Sequence, residues 1–297
     1  MLVLRSLLFA PANHARHVEK ALSGAADGAI LDLEDAVAID EKPAARLAAQ
    51  RVLEQRASPP TFTKAYVRIN ALTTPFAYQD MLEVVRPGLD GIILPKTESA
   101  EQVATLDWLL SQLEGERGMP VGGVDLMPII ETASGLLHAQ EIAGASPRVR
   151  RLNFGAGDFS LDTNMTWTSG NEGILWARVQ LVVASRAARL EPPLDTVFPN
   201  LDDLEGLATE AEQAKRLGFQ GKACIHPKQV EVVNATFTPG AEEMRQARLL
   251  IDAFEQAEAA GIASLRVGAQ FVDYPVAERA RRVVELGEAV ERRKTSR

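Results

Sequence analysis

Two carboxylates sit where a folded chain has little reason to aim charge. Glu131 closes the apolar run Leu126-Met127-Pro128-Ile129-Ile130, and Asp158 follows Leu152-Asn153-Phe154 and the turn Gly155-Ala156-Gly157. If both runs are neighbouring parallel strands, the two acids converge on one mouth of the core. Paired hard oxygen ligands in such a place suit a divalent cation, Mg2+ or Mn2+. The plainer alternative is that each acid caps the helix after its strand.

Other residues in the same positions bear on the choice. Arg68 lies inside the strand pattern Tyr66-Val67-Arg68-Ile69-Asn70. A buried arginine must find a partner. Here that is either an ion pair with Asp32, Glu34 or Asp35, or a fork for a substrate carboxylate or developing alkoxide. The run Leu31-Asp32-Leu33-Glu34-Asp35 packs three acids around one strand end. They either cap and pair locally or order the metal's surroundings and Arg68. Lys96 follows Pro95 and has the form of a Schiff-base nucleophile. The acids expected around it favour an ion-pairing ammonium. His226 precedes Pro227 at another strand end, a pattern open to a structural turn or a site residue. Arg5, Arg16 and Lys20, with His14 and His17, form a basic N-terminal cluster that is either a solvated face or a phosphate-binding one. Cys224 reads as a small core residue. No Ser-His-Asp set, glycine-rich dinucleotide loop or Cys/His zinc spacing is present.

These residues need a frame. Short runs rich in Val, Ile and Leu alternate with Ala-rich amphipathic stretches. The spacing predicts strands at 6–9, 29–33, 65–69, 91–94, 126–130, 151–154, 195–197 and 221–224. Helices are expected at 15–23, 42–55, 79–85, 100–113, 135–142, 174–188 and 202–217, with Ser99 and Asp202 as N-caps and Pro43 in a first turn. Alternating β and α elements imply a parallel sheet. Polar residues follow strand after strand, which favours a (β/α)8 TIM barrel, whose strand ends form one ring, over an open sheet with a switch point. Barrel units account for residues 1–233. Residues 234–297 read as a linker, a long helix from 241 to 260, a short strand-like or irregular piece at 265–272 and a basic last helix from about Pro275: a C-terminal helical lid or oligomer arm.

The chain has 297 residues, 46% of them hydrophobic, enough for a large core, and its net charge of -8 argues against nucleic acid as a partner. We expect no membrane span and no signal peptide. One cysteine excludes an intrachain disulfide and points to a reducing cytoplasm.

The same segments carry a resemblance. They are 5–13 (Arg-Ser-Leu-Leu-Phe-Ala-Pro-Ala-Asn), Leu31-Asp32-Leu33-Glu34-Asp35-Ala36-Val37, Val67-Arg68-Ile69-Asn70, Leu94-Pro95-Lys96, Ile129-Ile130-Glu131-Thr132, Gly157-Asp158-Phe159 and 221–229. In this order they resemble the citrate lyase beta subunit-like family, which includes malyl-, citramalyl- and citryl-CoA lyases among metal-dependent aldolases. The resemblance implies Mg2+ on Glu131 and Asp158, a 2-oxo acid on the metal, an acyl-CoA thioester beside it, and Arg68 at the oxo acid's oxygen. It also matches Phe271-Val272-Asp273-Tyr274-Pro275 to a segment whose aspartate is an acid/base acting in a neighbouring subunit. A homo-oligomer, trimer or hexamer, follows from that. The expected chemistry is cleavage or formation of a 3-hydroxyacyl-CoA. An aldolase acting on a free hydroxy-oxo acid, or a citrate lyase complex subunit acting on a carrier-protein thioester, are the alternatives. We therefore expect Arg68, Asp273, Asp35 and Glu34 in catalysis, and Arg5, Arg16, Lys20, Lys96, Gly157 and His226 at substrate or CoA. The stretch 161–168 lacks the Asp-Leu-Gly common in the family, so the sequence does not name the acid.

Overall fold

A computed structural model describes residues 3–57, 62–168 and 170–295. Met1 and Leu2, part of the N-terminus read for a leader, lie outside them. Eight parallel strands close into a barrel in chain order, with the first paired to the eighth. They are β1 (Ser6–Pro11), β2 (Gly28–Asp32), β3 (Lys64–Arg68), β4 (Gly91–Leu94), β5 (Asp125–Ile130), β6 (Asn153–Phe154), β7 (Leu194–Asp195) and β8 (Gly221–Cys224). The crossovers include α1 (Ala15–Ser23), α2 (Lys42–Arg56), α3 (Ala77–Val84), α4 (Ala100–Glu116), α5 (Ala133–Leu137), α6 (Ala139–Gly144), α7 (Ala156–Asp162), α8 (Glu172–Ala187) and α9 (Leu204–Leu217), and α10 (Pro227–Thr236) follows β8.

Local chemistry explains most boundaries. Ser99 and Gln102 make the reciprocal capping box that starts α4. The cap of α9 is Asp203, whose carboxylate accepts from the Gly206 amide, one residue later than expected. The helix expected at 135–142 is two short helices divided at His138.

Register decides what faces inward. Paired residues on adjacent strands point to the same side of a sheet. Asp32 is the partner of Arg68, Ile129 of Asn153, and Leu7 of Ala223. Arg68, Ile129, Asn153 and Ala223 all line one interior cavity, so this parity is the inward one.

The two-residue strand β7 is supported from behind by charge. Asp195 accepts from Arg178 Nε and Nη2 at 2.9 and 2.8 Å and from Lys222 Nζ at 2.7 Å. Glu210 accepts from the same two cations. This buried cluster ties α8 and α9 to β7 and β8.

The chain divides into two compact units, Leu4–Ala235 and the residues from Thr236 onward together with Val3. The second unit contains α11 (Ala241–Ala259), the antiparallel pair β9 (Leu265–Val267) and β10 (Gln270–Val272), and α12 (Tyr274–Thr295). The piece at 265–272 is thus strand-like, one of its two expected forms, and folds as a hairpin. Its two-residue turn uses Gly268 at φ 59°, a conformation that favours glycine. Phe254, Val272 and Ala277 form this unit's core, with the Phe254 and Tyr274 rings edge-on at 4.9 Å.

Removing one partner from a buried charge cluster strands the others. Asp195→Asn should lower unfolding free energy by roughly 3 kcal/mol or more, read from urea denaturation followed by circular dichroism.

Candidate active site

The carboxyl ends of the strands carry the predicted residues to one place. A cavity of about 460 Å³, open to solvent, is lined by Arg68, Glu131, Asp158 and Gly157 together with Phe9, Asn153 and others. Arg68 is its fixed point. Its Nε and Nη2 donate to the two Asp32 oxygens at 2.7 and 2.6 Å, and its plane lies over the Phe9 ring at 4.8 Å. Asp32 also accepts from the Glu34 and Ala36 amides at 3.0 and 3.1 Å, which folds the turn after β2 around the pair. The remaining nitrogen, Nη1, stands 2.9 Å from Glu34 and 3.8 Å from Asp35.

Lys96 ties the acids together. It adopts φ 48°, and its amide donates to Glu131 Oε1 at 2.7 Å. Its ammonium pairs with Glu34 and lies 3.5 Å from Asp35 and 3.7 Å from Asp158. Burial would favour the neutral amine, but Glu34, Asp35 and Glu131 outweigh it and hold Lys96 protonated. That rules out a Schiff-base nucleophile. Behind the wall, the buried Lys42 donates to the carbonyls of Leu33 and Glu34 at 2.8 and 3.0 Å, fixing the strand end that bears Glu34 and Asp35.

Five carboxylates, Asp32, Glu34, Asp35, Glu131 and Asp158, therefore meet two cations, Arg68 and Lys96. The strain of that imbalance falls on Glu131. It is 3% exposed, and burial, with Glu34 and Asp158 nearby, pushes its carboxyl up to about 8. Burial also raises Glu34 despite Arg68 and Lys96. Asp32 is the exception: Arg68 and two amides overcome its burial and keep it below the usual carboxylate range.

An excess of hard, buried oxygen donors facing a cavity fits a divalent cation. Backbone shape agrees: a Cβ on Gly155 would come 2.4 Å from a Glu131 oxygen, so only glycine leaves that carboxylate its place. Among the described residues no three His, Cys, Asp or Glu side chains form a closed metal cage. A cation held by Glu131 and Asp158 would keep most of its coordination positions for water and substrate oxygens.

The other expected residues are dispersed. Arg5 requires correction. It precedes β1, at the opposite end of the barrel from the cavity, and donates through Nε and Nη2 to Asp27 at 2.8 Å each, a buried structural pair. Arg16 is exposed on α1. Lys20 and His226 line a separate cleft with Phe9 and His17, and His226 Nδ1 also accepts from the Lys228 amide at 3.1 Å, capping α10. Cys224 is buried, and burial raises its thiol to about 12, so it is no nucleophile. Asp273 belongs to the second unit, between β10 and α12, where its carboxylate accepts from the Val276 amide at 3.2 Å. Sequence reasoning passed over Lys42, Gly155 and Asn153. The inward parity of Asn153, a polar residue inside a strand, was the signal for it.

A barrel with acids and an arginine at its strand ends is the architecture of an aldolase-type lyase, and the comparisons agree. Residues 182–286 match a carbon–carbon bond lyase family of the TIM-barrel fold. Residues 5–227 match the HpcH/HpaI aldolase/citrate lyase family, and the chain belongs to that family of carbon–carbon lyases. It is 38% identical to citrate lyase subunit beta of Leuconostoc mesenteroides subsp. cremoris, covering 96% of this chain and 93% of that protein. It is 34% identical to the L-malyl-CoA/beta-methylmalyl-CoA lyase of Rhodobacter capsulatus, covering 96% and 94%. The crystal structure of protein CitE from Mycobacterium tuberculosis with magnesium, acetoacetate and coenzyme A is 31% identical, covers 96% of this chain and 98% of that one, and superposes with a TM-score of 0.76.

The raised Glu131 has a signed consequence for stability. Below the ordinary Glu value of 4.5 both folded and unfolded chains hold the proton. Between there and about 8 only the folded chain does, so this residue's contribution to stability is lost as pH rises. In chelator-treated protein, Glu131→Gln should therefore match wild type in melting temperature near pH 4.5 and exceed it increasingly toward pH 8. Differential scanning calorimetry across that range checks this.

Proposed function

We propose that this protein is an Mg2+-dependent lyase that cleaves, or in reverse forms, a 3-hydroxyacyl-CoA, giving a 2-oxo acid and an acyl-CoA. The observation that carries this reading is the Arg68 fork, fixed by Asp32 and facing Glu131 and Asp158 across one cavity. The magnesium, acetoacetate and coenzyme A in the CitE structure and the thioester named for the Rhodobacter relative support it.

Cleavage breaks the bond between the carbinol carbon and the carbon next to the thioester. The hydroxyl loses its proton and becomes the ketone of the oxo acid, and the bonding pair moves onto the thioester as an enolate. Glu131 and Asp158 would hold the metal, whose Lewis acidity favours charge on the reacting oxygen. Arg68 places a second, preorganised positive charge at that oxygen, which an unclamped side chain would deliver less well. The Glu34–Asp35 pair stands beside it to take the hydroxyl proton, and the upward push on Glu34 suits it to hold one. Lys96 keeps Glu34, Asp35 and Asp158 from repelling one another apart. Lys20 and His226, in the adjoining cleft, are assigned to the CoA moiety.

Protonating the enolate carbon completes the reaction. We assign this to Asp273, presented by a neighbouring copy in a homo-oligomer, with the C-terminal unit as lid and arm. The match to a citrate lyase subunit beta favours a second reading, in which the thioester sits on a carrier protein.

Three measurements test this. Candidate hydroxyacyl-CoAs mixed with protein and Mg2+ should release 2-oxo acid, and chelation should stop it. Turnover only with a partner-borne thioester would favour the second reading, and no turnover of either sinks both. Arg68→Lys keeps a charge beside Asp32 but loses the fork, so kcat/KM should fall by about 100-fold or more with the fold retained. Mixing inactive Arg68→Lys and Asp273→Ala chains under conditions of subunit exchange should restore part of the activity. No restoration would remove the assignment to a neighbouring copy.

A further inference from the structure

The cavity contains a polar side chain, Asn153, that the reaction above leaves unused. Asn153 on β6 is the register partner of Ile129 and points into the barrel two positions before Gly155. It is 2% exposed, and its Oδ1 has no hydrogen-bond partner among the described residues. Its cavity neighbours Ile129, Phe154, Val197 and Ala223 are apolar. Thr196, the other uncharged polar side chain of the lining, is already engaged, accepting from the Ala156 amide at 3.0 Å.

A purely structural buried amide is normally paired, because an unpaired one loses its water without compensation. Asn70 shows what pairing looks like in this barrel: its Nδ2 donates to Leu33 O at 3.0 Å and to Asp80 at 2.7 Å. Asn153, by contrast, lines the cavity with its Oδ1 buried and unpaired among the described residues. Rotation about its last torsion lets the group offer either N–H donors or a carbonyl acceptor.

We propose that Asn153 contacts substrate and determines specificity: its amide hydrogen-bonds the end of the oxo acid remote from the 2-oxo group, so the site selects acids with a polar distal group over those ending in hydrocarbon. This deepens the lyase reading and rests on it. A site built to hydrogen-bond a substrate group discriminates strongly against an analogue lacking that group, because the protein's own polar atom is then left unpaired.

The test is isothermal titration of the full chain with Mg2+ and either oxaloacetate or 2-oxobutyrate, for wild type, Asn153→Leu and Asn153→Ser. Wild type should favour oxaloacetate. Asn153→Leu should reduce that preference by about 10-fold or more, with 2-oxobutyrate binding unchanged or tighter and thermal stability undiminished. Asn153→Ser keeps a hydrogen-bonding group and should fall between, which preserves the test if the leucine variant does not fold. A preference unmoved by the substitutions, or a wild-type preference for 2-oxobutyrate, overturns the assignment of Asn153 alone. Binding of neither acid to wild type overturns the lyase reading and this inference together.

Discussion

Arg68 and Asp32 are register partners on β3 and β2, so the barrel sets a guanidinium and a carboxylate side by side on its inner wall before any ligand arrives. The bidentate geometry removes the side chain's freedom, and the Phe9 ring closes its other face. Everything else at the site follows from that charge being fixed. Asp32 is fully committed to Arg68, leaving Glu34, Asp35, Glu131 and Asp158 to share Lys96 and one guanidinium edge. The surplus of negative charge is what a divalent cation relieves. Burial first, and then the nearby charge of Glu34 and Asp158, push the Glu131 carboxyl up.

Such a concentration of like charge needs a stiff frame. The turn after β2 is held by Lys42 and by two amides on Asp32. The short strands β6 and β7, which bring in Asn153, Asp158 and Thr196, have few ladder bonds of their own, and the Arg178–Asp195–Lys222–Glu210 cluster fixes the outer side of β7. Gly155 leaves the space that lets Glu131 sit against the β6 backbone. The stability of the barrel and the readiness of its mouth are thus arranged on opposite faces of the same strands.

Much of this was legible in the sequence because it is local. The βα alternation predicted the closed barrel, and the strand-end positions of Arg68, Lys96, Glu131 and Asp158 predicted that they would meet. The ambiguity over Arg68 resolved into both readings at once: it is ion-paired to Asp32, and that pair is what aims it into the cavity. The bounds of β6 and β7 and the division at His138 were not legible, since two-residue strands and short helices have too little periodicity to show.

Residue type and spacing alone determined the fold class, the acid-rich mouth and the family segments, because alternation and strand-end chemistry are properties of neighbours in the chain. Tertiary structure decided which charges actually meet. Arg5 looked like a ligand for anions until the barrel placed it beside Asp27 at the far end. Asn153 looked like one more strand residue until register turned it inward with its Oδ1 unpaired among the described residues. Both outcomes depend on contacts between strands that lie far apart in sequence, and electrostatics and hydrogen bonding act through space.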